Sequence, residues 1–336
     1  TFTLVDQLDH ADGNNENNLA IQLGSIIQAT DRDGDSVTAN ANGLVITVDD
    51  DTPGQNGNVA VALIDEEALP NGIGAGPEDG PGFAPVHAVE VANLFNSGAD
   101  EPLTLSLSED TSGLPDLTSG GLEVKYSVDG NTLIAYTGDT PADGRVFTIV
   151  LDSGVATFTL LGQIDHPTQN GTPDDNTENN LILDFSSLFV GTDADGDSIT
   201  LDAGSYLVDI DDDTPMQSQN RVTGTVDEDG VLEGADNDGP GDGIAGGIDD
   251  VDGEATVATG SVSTLFQSGA DQPLTYSLIN SVAGLAAQNL SSNDTDLSYS
   301  ISGNTLTATA GPGGDPVFTF TLNANGTWTF TLLDQL

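Results

Sequence analysis

Carboxylates are the residues in this chain whose spacing could do chemistry, and they recur in three patterns. The first is Asp-x-Asp-Gly-Asp, at Asp31, Asp33 and Asp35 and again at Asp193, Asp195 and Asp197. Acids at alternate positions, with Gly34 or Gly196 allowing a sharp turn, can converge on one hard cation. This is the local logic of an EF-hand loop, but that loop needs a glutamate at its twelfth position, where this chain has Asn42 and Gly204. The second pattern is a strand-end run closing on Thr-Pro: Asp49, Asp50 and Asp51, and again Asp209, Asp211, Asp212 and Asp213. The third follows about a dozen residues later: Asp65, Glu66 and Glu67, then Asp227, Glu228 and Asp229. All nineteen acids are candidate ligands for several calcium ions, because hard cations take oxygen ligands. The competing reading is a solvated acidic face, which applies with most force to the loop acids Glu78, Asp79, Asp236, Asp238 and Asp242. Recurrence alone does not decide between the two, since duplication copies neutral loops as well.

Other chemistry has weaker support. His10 and His166 each follow an aspartate, but no Gly-x-Ser-x-Gly nucleophile motif accompanies them, and with His87 they form no cluster at zinc spacing. They read as structural residues at a strand end or turn. Among 55 acids any chosen carboxylate pair is uninformative as a glycosidase dyad, and 5% aromatic content is low for a sugar cleft. The chain is expected not to be an enzyme.

The elements that position these acids must fold under an extreme charge. Four Lys+Arg stand against 55 Asp+Glu, a net charge of −51. That repels phosphates and anionic membrane surfaces, so nucleic acid is excluded as a partner. Hydrophobic residues still make up 36% of the chain, many in strand-like alternation, so cores can form. There is no cysteine, and metal becomes the expected substitute for disulfides in a secreted protein. No apolar run approaches membrane-spanning length, so no membrane insertion is expected. Thr1 to Leu4 reads as the middle of a strand, which suggests a piece of something longer.

The chain repeats itself in order. TFTLVDQLDH from Thr1 returns from Thr157 as TFTLLGQIDH and begins again at Thr329; ENNLAIQL from Glu16 returns from Glu178. VDDDTP from Val48, LFNSGADEPLTLSL from Leu94 and GNTLIAYTG from Gly130 return from Ile210, Leu265 and Gly303. The offset grows through two insertions in polar loops, one after His166 and one between Asp229 and Leu265. One period is about 160–170 residues, the size of a single all-β domain. Taking the Asp-Asp-Asp-Thr-Pro runs as boundaries, residues 1–52 are the C-terminal part of one repeat. Residues 53–214 are a complete repeat and 215–336 the N-terminal part of the next. Units of 1–156 and 157–328 fit the arithmetic equally well but cut between consecutive strands. Period-two alternation marks strands at 1–4, 103–107, 146–151, 157–161, 317–322 and 327–332. Hairpin turns are expected at Asp129-Gly130, Ser153-Gly154 and Asn325-Gly326, and short helical turns within 89–95 and 181–189. The pattern predicts all-β, tandem immunoglobulin-like (Greek-key) β-sandwich repeats stabilised by calcium, with Trp328 and the Phe and Tyr residues in their cores.

If the Pro runs are boundaries, a strand exit, an Asp-x-Asp loop and an acidic first strand could meet at each junction. That arrangement resembles cadherins, in which calcium stiffens the joint between tandem sandwiches. Unit charges 4 Å apart repel by roughly 4 kcal/mol at an effective dielectric of about 20, so such a junction would open without cation. The full series of motifs resembles the type I secretion repeat of giant RTX adhesins. It runs from an acidic first strand through Gly-Asn-Thr-Leu, Leu-x-Gln-Leu-Asp-His and Thr-Asp-x-Asp-Gly-Asp to Asp-Asp-Asp-Thr-Pro. The resemblance implies a Gram-negative surface or secreted protein, exported by a type I machine, whose tandem β-sandwiches rigidify in calcium and project an adhesive tip in biofilm formation. It implies calcium at Asp31, Asp33, Asp35, Asp49 to Asp51 and their counterparts from Asp193 to Asp213. Partners are then neighbouring repeats. Two other functions compete: a filament or matrix subunit in which copies of the chain exchange strands, and a glycan- or peptide-binding module seated in the insertion between Asp229 and Leu265.

Overall fold

The computed structural model describes residues 1–10, 17–70, 72–74, 84–166, 180–231 and 255–336. Glu78, Asp79, Asp236, Asp238, Asp242 and most of the insertion between Asp229 and Leu265 lie outside them. The chain divides into two compact units, Thr1–Thr214 and Pro215–Leu336.

The first unit is built on a five-stranded antiparallel sheet in the order Lys125–Asp129, Thr132–Tyr136, Arg145–Asp152, Val155–Leu160, Val86–Glu90. Alternation makes these strands one-faced. In Val155–Leu160 the side chains of Ala156, Phe158 and Leu160 are buried while Val155, Thr157 and Thr159 are only half-buried. Two three-stranded sheets accompany it. In one, Tyr206–Asp211 lies between Leu181–Asp184 and Ala60–Asp65, the latter pairing being parallel. In the other, Phe189–Thr192 lies between Ser198–Thr200 and Thr104–Leu107. Aromatic packing joins them: Phe147 stacks on Phe158 at 4.8 Å between ring centroids, and Phe185 meets Phe147 edge-on at 5.5 Å. Residues 17–52 repeat the sequence of 180–214 and form two hairpins, Leu19–Gln22 with Val45–Val48 and Gln28–Thr30 with Ser36–Thr38.

The second unit holds a six-stranded antiparallel sheet in the order Val257–Ser261, Thr327–Leu332, Pro316–Leu322, Thr305–Ala310, Thr295–Ser302, Ser291–Ser292. Leu306, Ala308, Val317, Phe318 and Leu332 form its core, and Trp328 is buried.

The fold is all-β. Among the described residues helix is confined to single turns, including Ala92–Leu94 and Ser186–Leu188, within the two stretches expected to hold them. The three hairpin turns fall where the glycine dipeptides placed them, each between paired strands. No helix of the described residues is long and apolar enough to cross a membrane. One expected strand is missing. Residues 1–4 are not in a ladder, and Phe2 and Leu4 are exposed. Their counterpart Val155–Leu160 is paired on both sides; alternation alone does not hold a strand that has no partner.

Because Phe185 fills the core against Phe147 and Phe158, Phe185→Ala is expected to cost about 3–5 kcal/mol of stability. Its repeat counterpart Leu23 is only half-buried, and Leu23→Ala should cost distinctly less. Chemical denaturation of the two variants measures the difference.

Candidate metal centres

Each Asp-x-Asp-Gly-Asp motif is the loop of a hairpin, and the two loops share one geometry. In the first, the Asp31 Oδ1 accepts the N–H groups of Asp33, Gly34 and Asp35 at 3.2, 3.1 and 2.9 Å, and Asp31 N donates to Asp35 O at 2.9 Å. In the second, Asp193 Oδ1 accepts from Gly196 N and Asp197 N at 3.1 and 2.8 Å, and Asp193 N donates to Asp197 O at 3.0 Å. Gly34 and Gly196 have φ of 103° and 100°, a conformation that side-chain-bearing residues rarely adopt. Hydroxyl pairs clamp the loop bases, Thr30 with Ser36 at 2.6 Å and Thr192 with Ser198 at 2.8 Å.

Their surroundings differ. Asp31, Asp33 and Asp35 are all exposed, and among the described residues their carboxylates gather with no other acid group. Asp193 and Asp197 are buried at 5% and 3% exposure. The second loop abuts the segment around Asp100, whose carbonyl accepts from Ala194 N at 3.1 Å. That segment is in turn held by Asp51, whose Oδ2 accepts Ala99 N at 2.7 Å. Two overlapping groups result. Asp193, Asp195 and Asp197 bring carboxylate oxygens within 4.8 Å of one another, and so do Asp50, Asp100 and Asp195. Twice a calcium–oxygen distance of about 2.4 Å is about 4.8 Å, so either set of oxygens has the span to share an ion. Asp193 Oδ2 and both oxygens of Asp195 are buried without a hydrogen-bond partner, a costly arrangement for carboxylates that receive no other compensation.

Asp195 therefore joins the loop of one repeat to Asp50 from the strand exit of the preceding one. Asp100 was not among the residues the sequence singled out. Its only signal was the recurrence of Ser-Gly-Ala-Asp at 97–100 and 268–271, which marks it as a repeat residue without distinguishing it from the serine, glycine and alanine before it.

The acidic first strand does not join this group. Asp65 caps the turn Glu66–Ala68 by accepting Glu67 N at 2.7 Å. Glu66 is fully buried, and its Oε1 accepts Ile164 N at 2.6 Å. His166 Nδ1 lies 3.7 Å from Glu66 Oε2 and 3.5 Å from Asp212 Oδ1, and donates to Ile164 O at 2.9 Å. His10 repeats the theme at the other strand exit, 3.4 Å from Asp50 Oδ1 with its Nδ1 donating to Asn17 O at 2.6 Å. The expected convergence of three motifs is thus two separate gatherings, each with a histidine placed by the Asp-His dipeptide. Asp49 is exposed, and Asp209 Oδ1 accepts from Asn180 Nδ2 at 3.1 Å. Asp211 is buried, and Asp213 Oδ2 accepts Ile73 N at 3.1 Å. Glu67 is half-buried. In the second unit Asp227 N donates to Ala255 O and Glu228 Oε1 accepts Leu336 N; Asp229 lies on the turn Glu228–Gly230.

Electrostatics follow burial. A hydrogen bond shared with the Asp33 carboxyl, with the loop N–H groups, holds Asp31 below its ordinary value. Burial, then Asp195 and Asp197, pushes the Asp193 carboxyl up to about 6, and burial with Asp195 and Asp50 raises Asp100.

Residues 45–204 match a family described as Domain of unknown function (DUF5801). The match covers just under half of the chain and includes Asp50, Asp100 and Asp193 to Asp197. No curated protein and no solved structure matches the chain.

Because the folded-state value of Asp193 lies above its unfolded value, the folded state holds more protons between about pH 4 and about pH 6. The ion-free protein is therefore expected to gain stability as pH falls from neutrality through that window, and Asp100 acts in the same direction. Asp31 acts in the opposite direction. Melting in chelator across pH checks this, and Asp193→Asn should flatten the rise.

Proposed function

We propose that this chain is a calcium-stabilised structural segment of a long secreted or cell-surface adhesin, made of tandem immunoglobulin-like β-sandwiches that act as an extender in adhesion and biofilm formation. The observation that carries this reading is the group of Asp50, Asp100 and Asp195. These carboxylates come from two successive repeats and are drawn together in a buried place where they repel one another. Asp50 presents its oxygens from the strand exit of residues 1–52, and Asp100 and Asp195 present theirs from loops of residues 53–214. Bound calcium supplies the positive charge that makes their approach favourable. The Asp195 side chain, facing both sets, couples the Asp193–Asp197 hairpin to the junction.

The remaining features support a structural and not a catalytic role. His10 and His166 are engaged by carboxylates and main-chain carbonyls, which hold these residues in place at the strand exits. The net charge of −51 favours an extended chain where calcium is scarce, suited to export, and folding where calcium is abundant, since binding energy becomes folding energy. The family resemblance of the motifs adds export from a Gram-negative cell by a type I machine.

After exhaustive chelation, calcium should raise the melting temperature of the chain steeply, and magnesium, which demands a tighter octahedral site, should not. Free calcium at a hundred times its dissociation constant stabilises by about 2.7 kcal/mol per site. Asp195→Asn should remove more of this response than Asp33→Asn, because only Asp195 belongs to two groups. Melting indifferent to calcium would refute the proposal.

A further inference from the structure

Four cations stand against 55 acids in this chain, and two of the four share one row on the outer face of the five-stranded sheet. In the ladder Tyr136 lies opposite Lys125 on one side and Arg145 on the other. The alternate positions fix which way the row faces. Tyr126 packs on Phe147 and Phe185, and Ala135 is fully buried, so Lys125 and Tyr136 point away from the core. Lys125 and Arg145 are exposed, and Tyr136 is half-buried between them. Both cations are anchored on one loop: Lys125 Nζ donates to Gly138 O at 3.0 Å and Arg145 Nε to Pro141 O at 2.9 Å. Most of their N–H groups stay available to a ligand. Among the described residues the ion pairs use histidine, and neither Lys125 nor Arg145 has a carboxylate partner. Asp139 and Asp143 lie in the same loop, but Asp143 Oδ2 is engaged by Thr140 Oγ1 at 2.8 Å.

The next row across the same face is Ser127, Ile134, Thr148 and Thr159, three hydroxyls around one apolar side chain. The acids of these strands, Asp129, Asp152 and Glu90, fall at the far end of the face. In a chain of net charge −51, this face is therefore positive at one end and neutral through its middle. The second unit supplies a comparison. Its ladder carries the same bulge at the same place, and its corresponding row is Ser298, Thr309 and Pro316. The ladder thus forms without a cation or an aromatic ring in this row, and folding does not account for Lys125, Tyr136 and Arg145.

We infer that this face binds an acidic polysaccharide, a chain of uronate sugars, across Lys125, Tyr136 and Arg145. The Arg145 guanidinium and the Lys125 ammonium take carboxylates of the ligand. The Tyr136 ring offers an apolar plane to the C–H face of a sugar, with a polar tip beside it. The hydroxyls of Ser127, Thr148 and Thr159 are placed for those of the sugar. Neighbouring strands about 4.8 Å apart set the backbones of Lys125 and Arg145 roughly 10 Å apart, a span that takes more than one sugar ring. The charge of the whole chain repels anions at long range, which favours a ligand with one carboxylate per ring over a densely charged sulfated chain or nucleic acid. An extended peptide binds best along a ladder edge, whereas the row lies across the face of a sheet. None of these residues is a candidate calcium ligand, so the inference does not rest on the calcium reading.

Calorimetric titration of the full chain with a galacturonate trimer, at fixed calcium and low ionic strength, tests it. Saturable binding of one trimer per chain is expected, weakening as salt rises. Lys125→Ser and Tyr136→Thr copy the row of the second unit and should leave the melting temperature unchanged. Lys125→Ser should weaken binding about tenfold or more, the pair together should abolish it, and Lys125→Arg should retain it. Three results would overturn the inference: no binding of the trimer, equal binding of its neutral methyl ester, or undiminished binding by the doubly substituted chain. Binding that survives the double substitution but vanishes in chelator would place the uronate on protein-held calcium, and it too would overturn the site. A chain that melts higher in calcium and binds no trimer would sink this inference alone; one that binds the trimer while its melting ignores calcium would sink the calcium reading alone.

Discussion

The repulsion among the carboxylates of Asp50, Asp100, Asp193, Asp195 and Asp197 is the constraint that the fold of the first unit has to meet. At roughly 4 kcal/mol for each pair of unit charges 4 Å apart, at an effective dielectric of about 20, a few such contacts equal the whole stability of an ordinary domain. The molecule nevertheless spends local structure on holding them together. A glycine at positive φ turns the hairpin, main-chain N–H groups fix Asp193 Oδ1, and Asp51 ties down the segment that carries Asp100. The proposal that these side chains are arranged for a cation rests on this gathering and on the oxygens left unpartnered.

The two copies of the Asp-x-Asp-Gly-Asp hairpin isolate the effect of surroundings from the effect of sequence. They share the glycine conformation, the hydroxyl clamp and the two hydrogen bonds from the fourth and fifth residues to the leading aspartate. The exposed copy holds its leading aspartate below the ordinary value, while the buried copy has its leading aspartate raised. Local sequence therefore builds the loop, and its surroundings bury it and raise its leading carboxyl. The same contrast runs through the apolar residues: Leu188 and Tyr206 are core, and Ile26 and Leu44 at the same repeat positions are surface. The hairpins recur because their contacts are local, and the burial differs because it depends on contacts distant in sequence.

Much of this was legible in the residues. Alternation located the strands at 146–151, 157–161, 317–322 and 327–332, and glycine dipeptides located the turns at Asp129-Gly130, Ser153-Gly154 and Asn325-Gly326, since these strands pair with their sequence neighbours. The Asp-x-Asp-Gly-Asp loops were legible because main-chain geometry needs both the glycine and the first aspartate. What escaped the reading depends on contacts distant in sequence. Asp100 is one acid among many until the fold sets it beside Asp50 and Asp195. The acidic first strand was expected at the same place, but Glu66 is drawn instead toward His166, which also faces Asp212. Thr1 to Leu4 carries a strand's alternation without a strand's partners. The resemblance to RTX adhesin repeats bears on the export and adhesion reading, and the match of residues 45–204 to a domain of unknown function leaves that reading to experiment.

Locating ions directly is the most decisive measurement: anomalous diffraction from crystals of the chain grown in calcium or in a lanthanide substitute. An anomalous peak is expected among the carboxylates of Asp50, Asp100 and Asp195, with Asp195 as a ligand, and none among them after Asp195→Asn. Ordered water with no anomalous signal among these three carboxylates at saturating calcium would contradict the calcium proposal, leaving their burial without a compensating cation.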